Sequence, residues 1–367
     1  MGERGRVKKK ILIATPLYPP EIGGPATYMK MLEEELPQHG FALSIVPYAK
    51  VRHLPKGLSH LKYFWLLFKA ARNQDLIYAL DPVSVGLPAL VVSKLRRKPF
   101  WVRLGGDYAW EQGVQRFGLT QLLDAYTNHK EDAPKKVQFL ARLQSFVVTR
   151  AQKVIVPSAY MKGIVKTWGA SDKQLEVIYS ALHPITFPLE KKDCRRKHGL
   201  SGTVIVSSGR LVPWKGFGKL IETTAALKER NPDISLYIAG DGPQKGKLHE
   251  KIDELDASEY VFLLGKLSKE TLGEYIRAAD VYVLNTAYEG LSHQLLEVMN
   301  LGTVVATTAA GGNAELITHG KDGFFFDHND VKCMDAVVTR ILNGDTSKVV
   351  VAAKNRVVDF KDDKQVS

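Results

Sequence analysis

The chain alternates short apolar runs with longer amphipathic segments, and this alternation constrains its fold more than any other feature. In the first half, the amphipathic segments predict helices at residues 25–38, 58–72, 84–97, 136–150 and 158–168. The β-branched and apolar runs predict strands at residues 10–15, 42–47, 75–79, 100–104, 153–156 and 175–179. Strands that alternate with helices pair in parallel and carry helices on both faces of the sheet. We therefore expect a doubly wound α/β domain.

A second alternation follows a break at residues 181–188, where Pro184 and Pro188 oppose both a helix and a central strand. Helices are then predicted at residues 215–228, 243–254, 268–278, 292–301 and 329–343. Strands are predicted at residues 203–207, 234–239, 260–264, 281–284, 303–306 and 323–326. Because 367 residues exceed the usual size of one core, we expect two Rossmann-like domains, 1–183 and 189–367, facing across a cleft. Ligands of such sheets bind at the carboxyl ends of the strands.

The segment from Glu289 to Glu297 is the strongest functional signal, because its two carboxylates bracket the turn between a predicted strand and a helix. Ionised carboxylates accept hydrogen bonds from adjacent hydroxyls, such as those of a sugar or a ribose. The backbone amides of Gly290, Leu291 and Ser292, where the helix begins, would face an anion. Each acid alone also has a simpler explanation, as a helix-dipole partner or a solvated helix residue.

This segment resembles the Glu-x7-Glu motif of the retaining glycosyltransferases of the large family 4 (group 1) type, and the resemblance extends along nearly the whole chain. A Gly-Gly-Asn-Ala-Glu sequence at residues 311–315, after the next predicted strand, strengthens it. The resemblance implies the two-Rossmann GT-B fold and a nucleotide-diphosphate sugar as donor. It also implies that Glu297 binds the donor ribose and that Glu289 lies near the donor sugar.

A second motif, Gly-Arg-Leu-Val-Pro-Trp-Lys-Gly at residues 209–216, follows the strand that opens the second domain. Arg210 and Lys215 can converge on a diphosphate, the arginine through its fork and the lysine as a point charge. Neutralising the growing charge of a nucleoside diphosphate lowers the barrier to its departure. The resemblance assigns both residues to the donor diphosphate, and the alternative is a pair of solvated loop cations.

Gly23 and Gly24 follow the loop after the first strand and precede a helix. Glycines in such a position let the backbone approach a phosphate closely, although turn glycines have the same appearance. The resemblance implies that this pair packs against the donor diphosphate from the first domain.

Asp107 lies at the carboxyl end of the predicted strand 100–104, within Arg-Leu-Gly-Gly-Asp-Tyr at residues 103–108. Many members of the family have a histidine at about this place, near the reacting sugar. A carboxylate there could orient a donor hydroxyl or stabilise positive charge at the anomeric carbon. We therefore predict a catalytic role for Asp107 alongside Glu289, and its alternative role is the N-cap of a helix.

The sequence gives no indication of a metal site. It contains no Asp-x-Asp motif, and Cys194 and Cys333 lie outside any metal-ligand spacing. We expect no metal and no cofactor, with the nucleotide sugar acting as co-substrate, and two ordinary thiols in a reducing compartment. The apolar run after the basic residues 1–10 is too short for a signal peptide, so we expect a cytoplasmic protein.

The positive charge is concentrated in the first half of the chain. Residues 1–187 hold 27 Lys and Arg against 14 Asp and Glu, whereas residues 188–367 hold 24 against 25. The excess is explained either by solubility or by an anionic partner such as a membrane surface or a lipid diphosphate. Leu61, Phe64, Trp65 and Phe68 share one face of a predicted helix, which either packs on the sheet or binds a membrane interface.

The function that these patterns favour is retaining transfer of a hexose from a nucleotide-diphosphate sugar to a glycan or lipid-linked acceptor, by an enzyme at the inner face of the membrane. Two alternatives stay open: a catalytically silent nucleotide-sugar-binding subunit and a nucleotide-sugar epimerase. No nucleic-acid partner is expected. The family usually ends in a helix that crosses back to the first domain, and we expect that helix to be short or missing here.

Overall fold

The structure is a computed structural model that describes residues 9–19, 21, 24–179 and 188–360. These residues form two compact units, one up to residue 179 and one from residue 188. Apart from Pro188, the predicted linker lies outside the described residues.

The first unit is built on a six-stranded parallel sheet with the strand order β2-β1-β3-β4-β5-β6. Its strands are β1 (Lys9–Thr15), β2 (Phe41–Pro47), β3 (Leu76–Ala79), β4 (Phe100–Arg103), β5 (Lys153–Val156) and β6 (Leu175–Val177). Its helices are α1 (Gly24–Glu35), α2 (Lys56–Ala70), α3 (Gly86–Arg96), α4 (Tyr108–Arg116), α5 (Leu123–Asn128), α6 (Lys135–Val148) and α7 (Ala159–Lys166).

The central strand β1 explains why this sheet is covered on both faces. Lys9 and Lys10 are exposed where the strand begins, whereas residues 11–15 are all buried. Since successive side chains of a strand point to opposite faces, an uninterrupted buried run requires helices on both sides.

The second unit repeats the architecture with the strand order β12-β11-β10-β7-β8-β9. Its strands are β7 (Thr203–Ser208), β8 (Ile234–Ala239), β9 (Val261–Gly265), β10 (Val281–Leu284), β11 (Val305–Thr307) and β12 (Phe324–Phe325). Its helices are α8 (Lys191–His198), α9 (Phe217–Lys228), α10 (Lys245–Glu254), α11 (Lys269–Ala278), α12 (His293–Leu301), α13 (Asn313–Leu316), α14 (Val331–Asn343) and α15 (Ser347–Val358).

Strand β10 divides the core of the second unit into two layers. Val281 and Val283 belong to one apolar cluster, and Tyr282 and Leu284 belong to the other. This alternation is the period of two expected of a strand between two helix layers. The predicted fold class, a doubly wound parallel sheet in each half of the chain, is therefore confirmed.

The strand order of the second unit fixes where a ligand would bind. β7, the first strand of the unit, lies between β8 and β10, so the chain progresses outward from β7 in both directions. A crevice opens at such a switch point, outside the carboxyl ends of the two strands. The loops after β7 and β10 lie at this point, and they carry Arg210, Lys215 and Glu289.

Helix α2 does not pack on the sheet through the face of Leu61, Phe64, Trp65 and Phe68, which was one of the two alternatives for that face. Leu61 and Trp65 are exposed, whereas Tyr63 and Leu67 on the other side are fully buried. The Tyr63 hydroxyl donates to the carbonyl of Val46, 2.7 Å away on β2, which fixes the side of the helix that meets the sheet.

Within the described residues, five helices are not among the predicted ranges: α4, α5, α8, α13 and α15. The last of them, Ser347–Val358, occupies the part of the chain where a final helix was expected to be short or missing. It is 12 residues long and packs against α12 in the second unit. None of the helices within the described residues is both long and apolar enough to span a membrane.

Candidate functional site

Two loops meet at the switch point of the second unit. The first joins β7 to α9 and contains a short 3₁₀ turn, Pro213–Lys215. The second, residues 285–292, joins β10 to α12. They are tied together by a hydrogen bond of 2.7 Å from the amide of Ala287 to the carbonyl of Trp214.

Lys215 and Glu289 form an ion pair across these two loops, with the Lys215 ammonium donating to Oε1 of Glu289. The two side chains are only 14% and 17% exposed. The sequence predicted both residues as donor-site residues from separate motifs 74 positions apart. The structure brings them into direct contact, so a partly buried cation and anion lie side by side at the switch point.

Arg210 follows β7 on the same loop as Lys215. Its side chain is exposed, in contrast to that of Lys215. A long exposed guanidinium beside a partly buried ammonium provides two different kinds of cationic contact within one loop.

Asn285, which the sequence analysis did not identify, holds the Lys215 loop in place. Its side-chain amide donates to the carbonyl of Gly216 and to Oδ1 of Asn329, both at 2.9 Å. Its Oδ1 accepts from the amide of Asn329 at 3.0 Å. Since Asn285 is buried, these bonds fix the residue that immediately follows Lys215. Its position directly after β10 is the signal that could have singled it out.

Gly311 and Gly312 hold the Glu289 loop from the other side. The amide of Gly312 donates to the carbonyl of Glu289 at 2.9 Å. A Cβ on Gly311 would lie 2.0 Å from that same carbonyl oxygen, and a Cβ on Gly312 would lie 2.3 Å from the carbonyl oxygen of Gly290. The loop after β11 therefore requires glycine at both positions, because the backbones approach too closely for a side chain.

Residues 290–292 lead from Glu289 into α12. Gly290, Leu291 and Ser292 are all buried. The Ser292 hydroxyl caps the helix by accepting from the amide of Leu295 at 3.4 Å. The predicted contact of these residues with the donor remains a prediction.

Glu297 lies on α12, and its carboxylate is paired with Lys269. The Lys269 ammonium lies 3.1 Å from Oε1 of Glu297, and the Gln294 side-chain amide lies 3.4 Å from Oε2. The sequence did not indicate Lys269, which belongs to the first turn of α11 and is more exposed than Glu297. This ion pair connects α12 to α11 at the position of Glu297.

Tyr282 joins β7 and β10 beneath the two loops. Its hydroxyl lies 2.9 Å from the Ser208 hydroxyl and 3.2 Å from the Ser208 carbonyl oxygen. Burial raises the pKa of Tyr282 well above its usual range, and the nearby carboxylates of Glu289 and Glu297 raise it further. The phenol therefore stays neutral, and its hydrogen bonds with Ser208 connect β10 to β7.

Asp107 is fully buried and caps helix α4. Its Oδ1 accepts from the amide of Trp110 and from the side-chain amide of Gln144, both at 3.0 Å. Burial raises the pKa of Asp107, and these two bonds oppose that effect. The geometry is that of the N-cap, the alternative considered for this residue. Its catalytic role remains a prediction.

Gly24 is the first residue of α1, and Gly23 lies outside the described residues. Among the described residues, a Cβ on Gly24 would meet no atom within 4 Å, so their packing does not require glycine there. The predicted contact of this pair with a diphosphate stays a prediction.

One group of side chains in the described part of the chain has metal-ligand chemistry. It consists of His129, Glu131 and Asp132, whose ligand atoms lie within 4.8 Å of one another. All three are exposed, and they belong to the first unit. Exposed acidic groups cluster commonly in proteins, so we assign no ion to them.

Comparison with known proteins relates the chain to glycosyltransferases. Residues 190–356 match the family model of the glycosyl transferases group 1. An uncharacterized glycosyltransferase of Methanocaldococcus jannaschii, MJ1607, is 24% identical over 347 residues, which cover 86% of this chain and 84% of that protein. The second unit therefore matches the glycosyl transferases group 1, and the chain as a whole is similar to a glycosyltransferase.

Solved structures show the same fold over nearly the whole chain. Anabaena HepE, solved in complex with UDP and glucose, has a TM-score of 0.74 at 19% identity, covering 97% of this chain and 96% of that one. Sucrose-phosphate synthase from Thermosynechococcus elongatus has a TM-score of 0.79 at 17% identity, covering 96% and 94%. The fold is thus the two-domain GT-B fold.

Proposed function

We propose that this glycosyltransferase takes a hexose from a nucleotide-diphosphate sugar bound at the switch point of its second unit and transfers it with retention of configuration. The observation that carries the proposal is the grouping of Lys215 with Glu289, and of Glu297 with Lys269, around the carboxyl ends of β7 and β10. These groups match the parts of such a donor, which are a diphosphate, a sugar and a ribose.

The diphosphate would lie against the loop after β7. Asn285 fixes the backbone at Gly216, directly after Lys215, and Glu289 pairs with the Lys215 ammonium, so this cation is held at the switch point before a ligand binds. Arg210 would add the fork that suits two adjacent phosphoryl groups. As the bond to the sugar breaks, negative charge grows on the leaving diphosphate, and fixed cations stabilise it without reorganisation. In this proposal the two cations take the part that a metal ion would otherwise play.

Glu289 would face the donor sugar. Its pairing with Lys215 would hold the carboxylate beside the diphosphate position, where it can accept hydrogen bonds from sugar hydroxyls. Glu297, one turn into α12, would accept hydrogen bonds from the ribose diol. The structure of HepE with UDP and glucose supports a nucleotide and a sugar as ligands of this fold.

Retention is proposed from the resemblance to the retaining members of the family. The acceptor hydroxyl would attack the anomeric carbon on the face from which the diphosphate departs. Its proton would pass to the leaving phosphate oxygen, so that the C–O bond to the phosphate breaks as the bond to the acceptor forms. Such a transfer requires no enzyme nucleophile, and it matches a site in which Glu289 is already engaged by Lys215.

The acceptor is proposed to be a glycan or a lipid-linked molecule, and the basic first half of the chain would meet an anionic membrane surface. We place the enzyme in the cytoplasm, at the inner face of that membrane. Both cysteines are free, which supports a reducing compartment.

A panel of nucleoside diphosphates in a thermal-shift assay tests the donor site. A ligand that binds only the native state raises the melting temperature, and at a hundredfold excess over Kd it stabilises by about 2.7 kcal/mol. At least one diphosphate should raise the melting temperature of the wild type, and the same nucleotide should have a smaller effect on Glu297→Gln. If no member of the panel changes the melting temperature, the proposed donor site is wrong.

A second candidate function is a subunit that binds the nucleotide sugar without transferring it. The observation that favours it is the fully buried, N-capping carboxylate of Asp107, which serves the helix rather than a ligand. Release of nucleoside diphosphate from the donor by the purified protein supports the enzyme. Donor binding with no such release, in the presence of glycan and lipid-linked acceptors, supports the silent subunit.

A further inference from the structure

Three neighbouring helices of the first unit, α2, α3 and α6, present one continuous outer surface. α2 packs against α3, and α3 packs against α6. We call their outward-facing residues the three-helix face.

The three-helix face is unusually apolar for a surface. Within the described residues, eleven large hydrophobic side chains are exposed, and seven of them belong to these three helices. They are Leu58, Leu61 and Trp65 on α2, Val91 and Leu95 on α3, and Phe139 and Phe146 on α6. Exposed apolar groups that cluster in this way mark an interaction site.

These side chains follow helical spacing. Leu58, Leu61 and Trp65 recur at intervals of three and four residues, so they form one stripe along α2. The opposite side of the helix, with Tyr63 and Leu67, is buried against the sheet. α2 therefore has two apolar sides. One packs in the core, and the other is exposed.

The charge on the three-helix face has a single sign. The helices span 15, 11 and 14 residues, and none of these residues is Asp or Glu. Exposed cations stand among the apolar stripes, namely Lys62 and Lys69 on α2, Lys94 on α3, and Lys135 and Arg142 on α6. None of these five forms an ion pair with a carboxylate of the described residues.

We propose that the three-helix face docks onto the surface of a bilayer that contains anionic phospholipid. Its apolar stripes would enter the boundary between head groups and acyl chains, and the lysines and arginine would lie at the level of the phosphates. Trp65 is 52% exposed and carries an indole N–H, and it has the amphipathic character of residues found at membrane interfaces.

A second copy of the chain fits the three-helix face less well than an anionic bilayer does. A twofold contact through the three-helix face would set cations against cations, with no acidic residue on these helices to pair with them. An anionic bilayer complements the charge and the apolar stripes at the same time. The inference rests on the anionic membrane surface of the proposed function and deepens it, because it assigns that contact to three named helices. It holds whatever sugar or acceptor the enzyme uses.

Co-sedimentation of the full-length protein with vesicles tests the docking. Vesicles of phosphatidylcholine alone are compared with vesicles that contain about one third phosphatidylglycerol. We expect sedimentation only with the anionic vesicles, and release at high salt, where surface charges are screened. Lys62→Glu/Lys69→Glu should lower the partition coefficient by at least about 25-fold, since each cation near an anionic surface contributes about fivefold. Leu61→Ser/Trp65→Ser should lower it as well.

The matched controls lie on the second unit. Lys245→Glu/Lys247→Glu alters two exposed cations of α10, and Val351→Ser/Val358→Ser alters two exposed apolar residues of α15. Both controls should sediment like the wild type, and melting temperatures verify that all variants fold.

Three results would overturn the inference. They are absence of binding to anionic vesicles, equal binding by the variants of the three-helix face and the controls, and a wild-type dimer in analytical ultracentrifugation that Leu61→Ser/Trp65→Ser dissociates. None of these measurements involves a nucleotide sugar, so a negative result with vesicles would not contradict the proposed donor site. A negative result in the thermal-shift panel of nucleoside diphosphates would likewise not contradict binding to vesicles.

Discussion

Replacing Gly311 by alanine should disable the donor site while leaving the fold intact. Gly311 has φ of +60° and stands against the loop that carries Glu289. A Cβ there would lie 2.0 Å from the Glu289 carbonyl oxygen, whereas real Cβ contacts do not fall below 3.0 Å. The loop must therefore move by about 1 Å, and a displacement of that size at a catalytic group costs on the order of a hundredfold in rate.

Gly320→Ala is the matched control for Gly311→Ala. Gly320 has φ of +76°, and a Cβ there would meet no atom within 4 Å. Both substitutions place alanine in the left-handed region, which costs about 1–2 kcal/mol of stability. Only the substitution at Gly311 adds a collision with the Glu289 loop. The difference between the two variants thus isolates the position of Glu289 from backbone strain.

The assay measures release of nucleoside diphosphate from the donor, together with the melting temperature of each variant. Gly320→Ala should melt lower than the wild type but turn over at the wild-type rate. Gly311→Ala should turn over about a hundredfold more slowly at a temperature where both variants are folded. Equal turnover by the two alanine variants would refute the reasoning that Gly311 sets the position of Glu289.

Other substitutions probe the supports of the site and of the fold. Glu297→Gln should raise the KM for the donor by more than about tenfold, because it removes the charge that we propose faces the ribose. Lys269→Met should raise the KM by no more than about fivefold, since this lysine is half exposed and screened; equal effects would contradict a direct contact by Glu297. Asn285→Ala should lower the free energy of unfolding by about 1–3 kcal/mol in urea titrations, because it leaves the buried carbonyl of Gly216 without its partner; an unchanged midpoint would contradict its role. Hydrogen bonding from Lys197 lowers the pKa of Glu274 from 4.5, so the stability that Glu274 contributes is present above about pH 4.5 and is lost as the pH falls through the lowered value. Glu274→Gln should therefore melt lower than the wild type at pH 7 and close to it at about pH 3, and a constant difference across that range would contradict the assignment.

The sheets could be predicted from the sequence because they depend on local pattern. All six strands of the second unit lie within a few residues of their predicted positions, since each is a short apolar run next to an amphipathic helix. Helix α8 shows the limit. Its sequence is almost entirely charged, and it is held by contacts of Lys191 and Arg195 with Asp280, 2.7 and 2.6 Å away. Asp280 is more than 80 residues distant in sequence, so the local sequence pattern of α8 does not indicate this contact.

The same limit applies to the candidate site. Motifs predicted Lys215, Glu289 and Glu297, but the partners that fix them come from other loops of the sheet. Asn285 acts through Gly216, and Lys269 reaches Glu297 from α11. Neither residue belongs to a motif, and only the strand order makes them neighbours of the site. The same dependence on tertiary context applies to α2, whose two apolar sides cannot be assigned to core or surface from periodicity alone.

Calorimetric titration of Lys215→Met tests the central claim, that Lys215, Glu289 and Glu297 form the donor site at the switch point. The ligand is the nucleoside diphosphate that raises the melting temperature most, and the control is Lys219→Met. Lys219 is also a lysine paired with a glutamate, 2.7 Å from Glu222, but it lies exposed on α9. We predict that Lys215→Met weakens binding at least about tenfold, corresponding to 1.4 kcal/mol, while Lys219→Met binds like the wild type. Equal affinity of the two variants would contradict the claim.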